Sequence, residues 1–97
     1  MRVIWRPRAE TDLSDLFEYL LERNPTAALR ILETIRRQVA LLADQPHLGR
    51  PGRVADIREL VIPRTPYLVA YTVDRAHDTV FLLRVLNGAR RWPDDLA

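Results

Sequence analysis

The hydrophobic period of this chain changes once, near residue 50, and that change dictates its architecture. From Ala9 to Arg23, apolar Ala9, Leu13, Leu16, Phe17, Leu20 and Leu21 recur at three- and four-residue spacing. Glu10, Asp12, Asp15, Glu18 and Glu22 take the other face, which is the pattern of an amphipathic helix. Pro7 suits the first turn of that helix, and residues 2 to 6 before it read as a short strand. Asn24 then caps a second helix with Pro25 at its first position. Its stripe of Ala28, Leu32, Ile35, Val39 and Leu42, with Ile31 beside it, carries it to about Ala43. Two helices joined by so short a turn lie antiparallel as a hairpin.

Residues 44 to 53 contain Pro46, Gly49, Pro51 and Gly52, which is loop chemistry. Beyond them the runs Ile57 to Ile62, Tyr67 to Val73 and Thr79 to Leu86 are rich in β-branched and aromatic residues. Pro63 to Pro66 and Asp74 to Asp78 separate them as turns. The expected class is therefore α+β, in the order β-α-α-β-β-β, with the N-terminal helical hairpin packed on one face of a small, mostly antiparallel sheet. In the last run Val80 and Leu82 share a face with Arg84, while Phe81, Leu83 and Val85 take the other, so both faces are largely apolar. Helices cover only one of them, and the other face is a candidate interaction surface.

With 97 residues the chain has room for one core, so residues 1–97 are read as a single domain. It has no cysteine, hence no disulfide, thiolate metal site or cysteine nucleophile, in keeping with a reducing compartment; a cytoplasmic location is expected. No stretch resembles a signal peptide or approaches the length of a membrane span. All fifteen basic residues are arginine, and residues 50 to 93 hold eight of them against four acids. Such a half suits an anionic partner, because guanidinium pairs bidentately with phosphate and carboxylate.

The residues exclude several chemistries. His47 and His77 sit in turns without carboxylates at ligand spacing, so no metal and no cofactor is expected. Ser14 is the one serine and has no histidine near it in sequence. Metal-free RNA cleavage needs a base, an acid and cations on the phosphorane-like transition state. Arg58, Arg84 and the Arg90-Arg91 pair are the candidate cations, with Glu59, Tyr67, Tyr71, His47 or His77 as acid or base. Strand alternation puts Arg58 and Glu59 on opposite faces, so that pair is poorly placed to act together. Arg90, Arg91 and Trp92 read better as a recognition patch, since arginine and tryptophan are favoured interface anchors.

Across the whole chain, Ala9, Asp12, Leu13, Tyr19, Asn24-Pro25, Ala28, Leu42, Pro46, Gly49-Arg50, Gly52-Arg53, Arg58-Glu59-Leu60, Tyr67, Tyr71, Arg84-Val85-Leu86, Ala89-Arg90 and Trp92-Pro93 form a combined pattern. It resembles the RelE/ParE family of bacterial type II toxins, in its ParE-like branch. The resemblance implies a toxin, of a kind associated with plasmid stabilization, neutralised by a cognate ParD-like or similar antitoxin whose disordered C-terminal part folds over it. Family members of the RelE type cut messenger RNA in the ribosome with acid/base residues, whereas ParE-like members poison DNA gyrase. This chain has no lysine, carries Asn87 where many similar sequences carry histidine, and places Trp92 where a ribonuclease would place tyrosine. Loss of an acid or base costs ~10²- to 10⁴-fold in rate, so the resemblance points to gyrase binding rather than cleavage. The expected target contacts are Arg90, Arg91 and Trp92, with Arg58 and Arg84 as neighbours. The ribonuclease alternative uses Arg58 and Arg84 with Glu59 or Tyr71, and a third alternative is a non-toxic member that only pairs with an antitoxin. Trp5, Leu13, Leu16, Leu20 and Leu82 are the expected antitoxin contacts.

Overall fold

A computed structural model describes residues 1–89 of the chain. The elements are β1 (Arg2–Trp5), α1 (Pro7–Arg23), α2 (Pro25–Ala40), β2 (Arg50–Pro51), β3 (Arg58–Val61), β4 (Tyr67–Asp74) and β5 (Thr79–Asn87). One five-stranded sheet has the order β1-β5-β4-β3-β2, antiparallel except for the β1/β5 pair. The parallel pair follows from the hairpin, which carries the chain across the sheet before it returns through β2 to β5. Among the described residues no helix is long and apolar enough to cross a membrane.

Asn24 does two jobs at the hairpin tip. Its backbone N–H closes α1 on the Leu20 carbonyl at 2.7 Å, and its side chain accepts from the Ala27 N–H at 3.1 Å to start α2. α2 stops at Ala40, and Leu41–Ala43 continue as a 3-10 turn, which corrects the expected helix end by tightening its last turn. The segment expected to be wholly loop also contributes β2, because Arg50 and Pro51 pair with Glu59 and Arg58.

Both helices bury their stripes on one sheet face. Ala9, Leu13, Ile31, Ile35, Val39 and Leu42 meet Leu60, Val69, Tyr71, Val80, Leu82 and Val85 in a single core. Val85 was expected on the opposite face from Val80 and Leu82. The register of β4 on β5 explains the difference: Ala70 pairs with Arg84 but Tyr71 pairs with Leu82, so Leu83 has no partner. This bulge shifts the alternation by one residue and turns Val85 back to the helices. The far face is not bare either. Leu83 and Ala70 are buried, and the Arg6 guanidinium lies 5.6 Å from the centre of the half-buried Phe81 ring.

Candidate functional site

The β2–β3 flank of the sheet is built around polar groups that bind one another. Arg58 begins β3, and its guanidinium turns onto the preceding loop. Nε donates to the Gly49 carbonyl at 2.9 Å and Nη2 to the His47 carbonyl at 3.2 Å. Its cross-strand partner Tyr71 is fully buried, donates its hydroxyl to the Pro46 carbonyl at 2.8 Å and accepts the Gly49 N–H at 2.9 Å. Gly49 is required by this close approach, since a Cβ there would sit 2.7 Å from the Tyr71 ring and hydroxyl.

Glu59 faces the other way, as strand alternation predicts. Its carboxylate is 2% exposed, yet it accepts from Arg50 Nη2 at 3.0 Å, from the Arg53 backbone N–H at 2.9 Å and from Arg53 Nε at 3.2 Å. Burial by itself would raise the proton affinity of this group. The Arg53 N–H and the two guanidinium groups outweigh it and hold the carboxyl below its ordinary range. Such a carboxylate is a weak base, and Arg50 and Arg53 cover it.

Arg84 is held from the other side of the molecule. Asp12 of α1 receives its Nε at 2.6 Å and Nη2 at 3.0 Å, and also accepts the Val85 backbone N–H at 3.0 Å. β1 ends at Trp5, opposite Leu82, so beyond that point β5 has no strand on that edge, although β4 still pairs with its other edge. The Asp12 carboxylate takes over where the ladder stops. The sequence reading placed Asp12 on the solvent face of α1. The structure corrects this, because the first turns of α1 lie along the β5 edge, a placement no helical period reveals.

The β1 flank is different in kind. A groove of about 690 Å³ runs between β1, α1 and α2, lined by Val3, Trp5, Leu13, Phe17, Leu32 and Val39, with Glu10 and Arg36 also on its walls. Of the residues expected to meet an antitoxin, Trp5 lines this groove, Leu13 borders it but is itself buried in the core, and Leu16 and Leu20 are half-buried beside the core. Leu82 is a correction: it is fully buried in the core beneath the helices and presents no surface. The sequence reading missed Val3, Phe17, Leu32 and Val39 as groove residues. Val3 belongs to β1, and the helical stripes of Phe17, Leu32 and Val39 do not say which members border a groove; Val39 does so while buried in the core.

Arg90, Arg91 and Trp92 lie outside the described residues. Among the described residues there is no group of three or more histidines and acids that would hold a metal ion. His47 and His77, weighed above as acid or base, are both exposed: His47 contacts Arg75, and His77 Nδ1 lies 2.8 Å from Asp74. Among the described residues His47 shares a cleft with Arg58, whereas Glu59 is bound by Arg50 and Arg53 and Tyr71 by the Pro46–Gly49 loop.

Residues 3–92 match a sequence model of the ParE toxin of the type II toxin–antitoxin system parDE. A putative toxin, Y4kP of Sinorhizobium fredii, is 36% identical over 95 residues, covering 98% of this chain and 96% of that protein. Among solved structures, a chain of a chromosomal ParDE system from P. aeruginosa superposes with a TM-score of 0.79 at 26% identity, over 90% of this chain and 95% of that one. A chain of the toxin–antitoxin complex RelBE2 from Mycobacterium tuberculosis gives 0.65 at 28% identity, over 89% and 95%. The overall fold is thus shared with these toxin–antitoxin structures over most of the chain, and this chain belongs to the ParE toxin family of type II toxin–antitoxin systems.

Proposed function

We propose that this toxin inhibits growth by binding and poisoning DNA gyrase, and that a ParD-like antitoxin neutralises it. One observation carries the reading. Arg58, Glu59, Tyr71 and Arg84, the residues a ribonuclease would draw on, are each engaged in bonds that hold the fold. Tyr71 has both hydrogen-bonding roles of its hydroxyl filled, and Glu59 is buried with its proton affinity lowered. General acid/base catalysis needs a group that can reach the substrate and exchange a proton there; the Tyr71 hydroxyl is buried on the Pro46–Gly49 loop, and the Glu59 carboxylate is buried beneath two guanidinium groups that lower its proton affinity. A protein that acts by binding has no such requirement. The match to the ParE model supports the same branch.

The target-contacting residues in this reading are Arg90, Arg91 and Trp92. The antitoxin occupies the groove at β1, where Trp5 and Phe17 offer aromatic surface to an amphipathic segment that folds as it binds. The test is induction of the toxin without its antitoxin while labelled thymidine and labelled amino-acid incorporation are followed. Early failure of DNA synthesis with translation intact, reproduced as trapped cleavage by purified gyrase, is the expected result. Early collapse of translation overturns the gyrase reading and makes the chain a ribosome-directed ribonuclease. Alanine at Arg91 and Trp92 should abolish toxicity while leaving the melting temperature unchanged.

A further inference from the structure

The β3 flank holds a second cleft, of about 570 Å³, between the loop after α2, residues 51–58 and the β4–β5 turn. His47, Arg58 and Arg75 line it from three separate segments, and His47 joins the two arginines. Its carbonyl accepts from Arg58 Nη2 at 3.2 Å, and its ring Nε2 lies 3.0 Å from Arg75 Nη2. Other arginines of the sheet have acidic partners, Arg50 and Arg53 sharing Glu59 and Arg84 paired with Asp12. Arg58 and Arg75 have no acidic side chain at ion-pair distance among the described residues. The fold thus gathers two guanidinium groups and an imidazole around one cavity whose one acidic lining residue, Asp56, is at ion-pair distance from neither arginine. An anion there relieves the repulsion, and Arg58, already held by two carbonyls, loses little freedom on binding it.

The walls discriminate among anions. Val54, Ile57 and Val73 place aliphatic surface beside the cations, and apart from the His47 imidazole the lining contains no aromatic ring on which a nucleobase would stack. Asp56 also lines the cleft and repels a densely charged phosphate more than a single carboxylate. Its left-handed backbone, φ 65°, is fixed by the Thr72 hydroxyl donating to its carbonyl at 3.0 Å, so this wall is preformed. We propose that the cleft binds a carboxylate in an acidic protein segment flanked by aliphatic residues. The antitoxin and the toxin's target are two sources of that chemistry, and the site does not depend on gyrase being the target.

The chain has no lysine, so the arginine Nε–H signals report its cationic side chains directly in ¹H–¹⁵N spectra. The probe is a short capped peptide of alternating glutamate and valine, titrated into the full chain alone and into its antitoxin complex. On the free chain the Arg58 and Arg75 signals should shift together and saturate. Those of the exposed helix residues Arg30, Arg36 and Arg37 should stay still. Arg75→Gln, in an exposed turn, should melt as the parent does and weaken binding about 10- to 100-fold, as loss of a charge-assisted pair does. The same peptide with glutamine for glutamate should not bind. The proposal is overturned by no saturable shift, by shifts shared evenly with the helix arginines, by indifference to Arg75→Gln, or by a short single-stranded DNA displacing the peptide. If the free chain binds, loss of the shifts in the antitoxin complex assigns the cleft to the antitoxin, and their survival assigns it to another protein.

Discussion

The two flanks of the sheet spend their side chains differently. At the β2–β3 flank, Arg50, Arg53, Arg58, Glu59 and Tyr71 bind loop backbone or one another, and the loops of residues 46–57 are locked to the strands. At the β1 flank the groove walls are mostly apolar side chains, with Glu10, Ser14 and Arg36 among them. A cluster of arginines beside a glutamate and a tyrosine reads as catalysis, yet here those groups hold the chain together. Apart from the cleft between Arg58 and Arg75, the uncommitted surface is the apolar one. Commitment of hydrogen bonds, rather than residue type, separates framework from binding surface in this toxin.

The comparison breaks first at the seam between the flanks. Asp12→Ala removes the carboxylate from the largely buried Arg84 and leaves the Val85 N–H without its acceptor. Chemical denaturation should show a loss of about 3 kcal/mol. A loss under half a kcal/mol would mean that this contact is ornamental. At the β2–β3 flank, Glu59→Gln should cost about 2 kcal/mol at neutral pH, less than a sealed ion pair would, because Arg50 and Arg53 can turn to water. This loss should depend on pH with a definite sign. The folded-state pKa of Glu59 lies below its ordinary value of 4.5, so its contribution is complete above that value and disappears as pH falls through the folded-state value. Urea titrations of the parent and Glu59→Gln should therefore converge on acidification; a constant gap would contradict the assignment.

Tyr71→Phe should follow at about 1 to 2 kcal/mol, because the buried Gly49 N–H loses its acceptor while the ring remains. Its toxicity should match the parent once folding is confirmed, whereas a catalytic tyrosine would lose activity far beyond its loss of stability. The smallest effect on stability is expected in the groove. Phe17→Ala should cost less than about 1 kcal/mol of folding but weaken antitoxin binding at least tenfold in a titration, as loss of an aromatic anchor does. The opposite pattern, a large stability loss with unchanged antitoxin affinity, would make the groove part of the core.

Much of the architecture was legible because it rests on local rules. Asn24-Pro25 announces a cap and a first-turn proline whatever surrounds it, and the apolar spacing of α1 and α2 names the buried stripe. The same rules failed where a neighbour decided the outcome. The Leu83 bulge cannot be seen in one strand, since it is a mismatch between two, and it moved Val85 to the helix side. Arg84 looked like an anion-binding group because its partner, Asp12, is 72 residues away in sequence. Arg58, Glu59 and Tyr71 were legible as a cluster, but whether they act on a ligand or on their own loop depends on where residues 46–53 fold back.

The sequence by itself determined the order of the main elements without β2, the α+β class, the hairpin and the family, because periodicity, caps and turn residues act over a few positions. Only the tertiary structure decided which polar groups are already satisfied, which apolar residues remain open at β1, and that His47, Arg58 and Arg75 meet at one cleft. Those outcomes depend on contacts between segments far apart in the chain, and such contacts set burial, charge pairing and access.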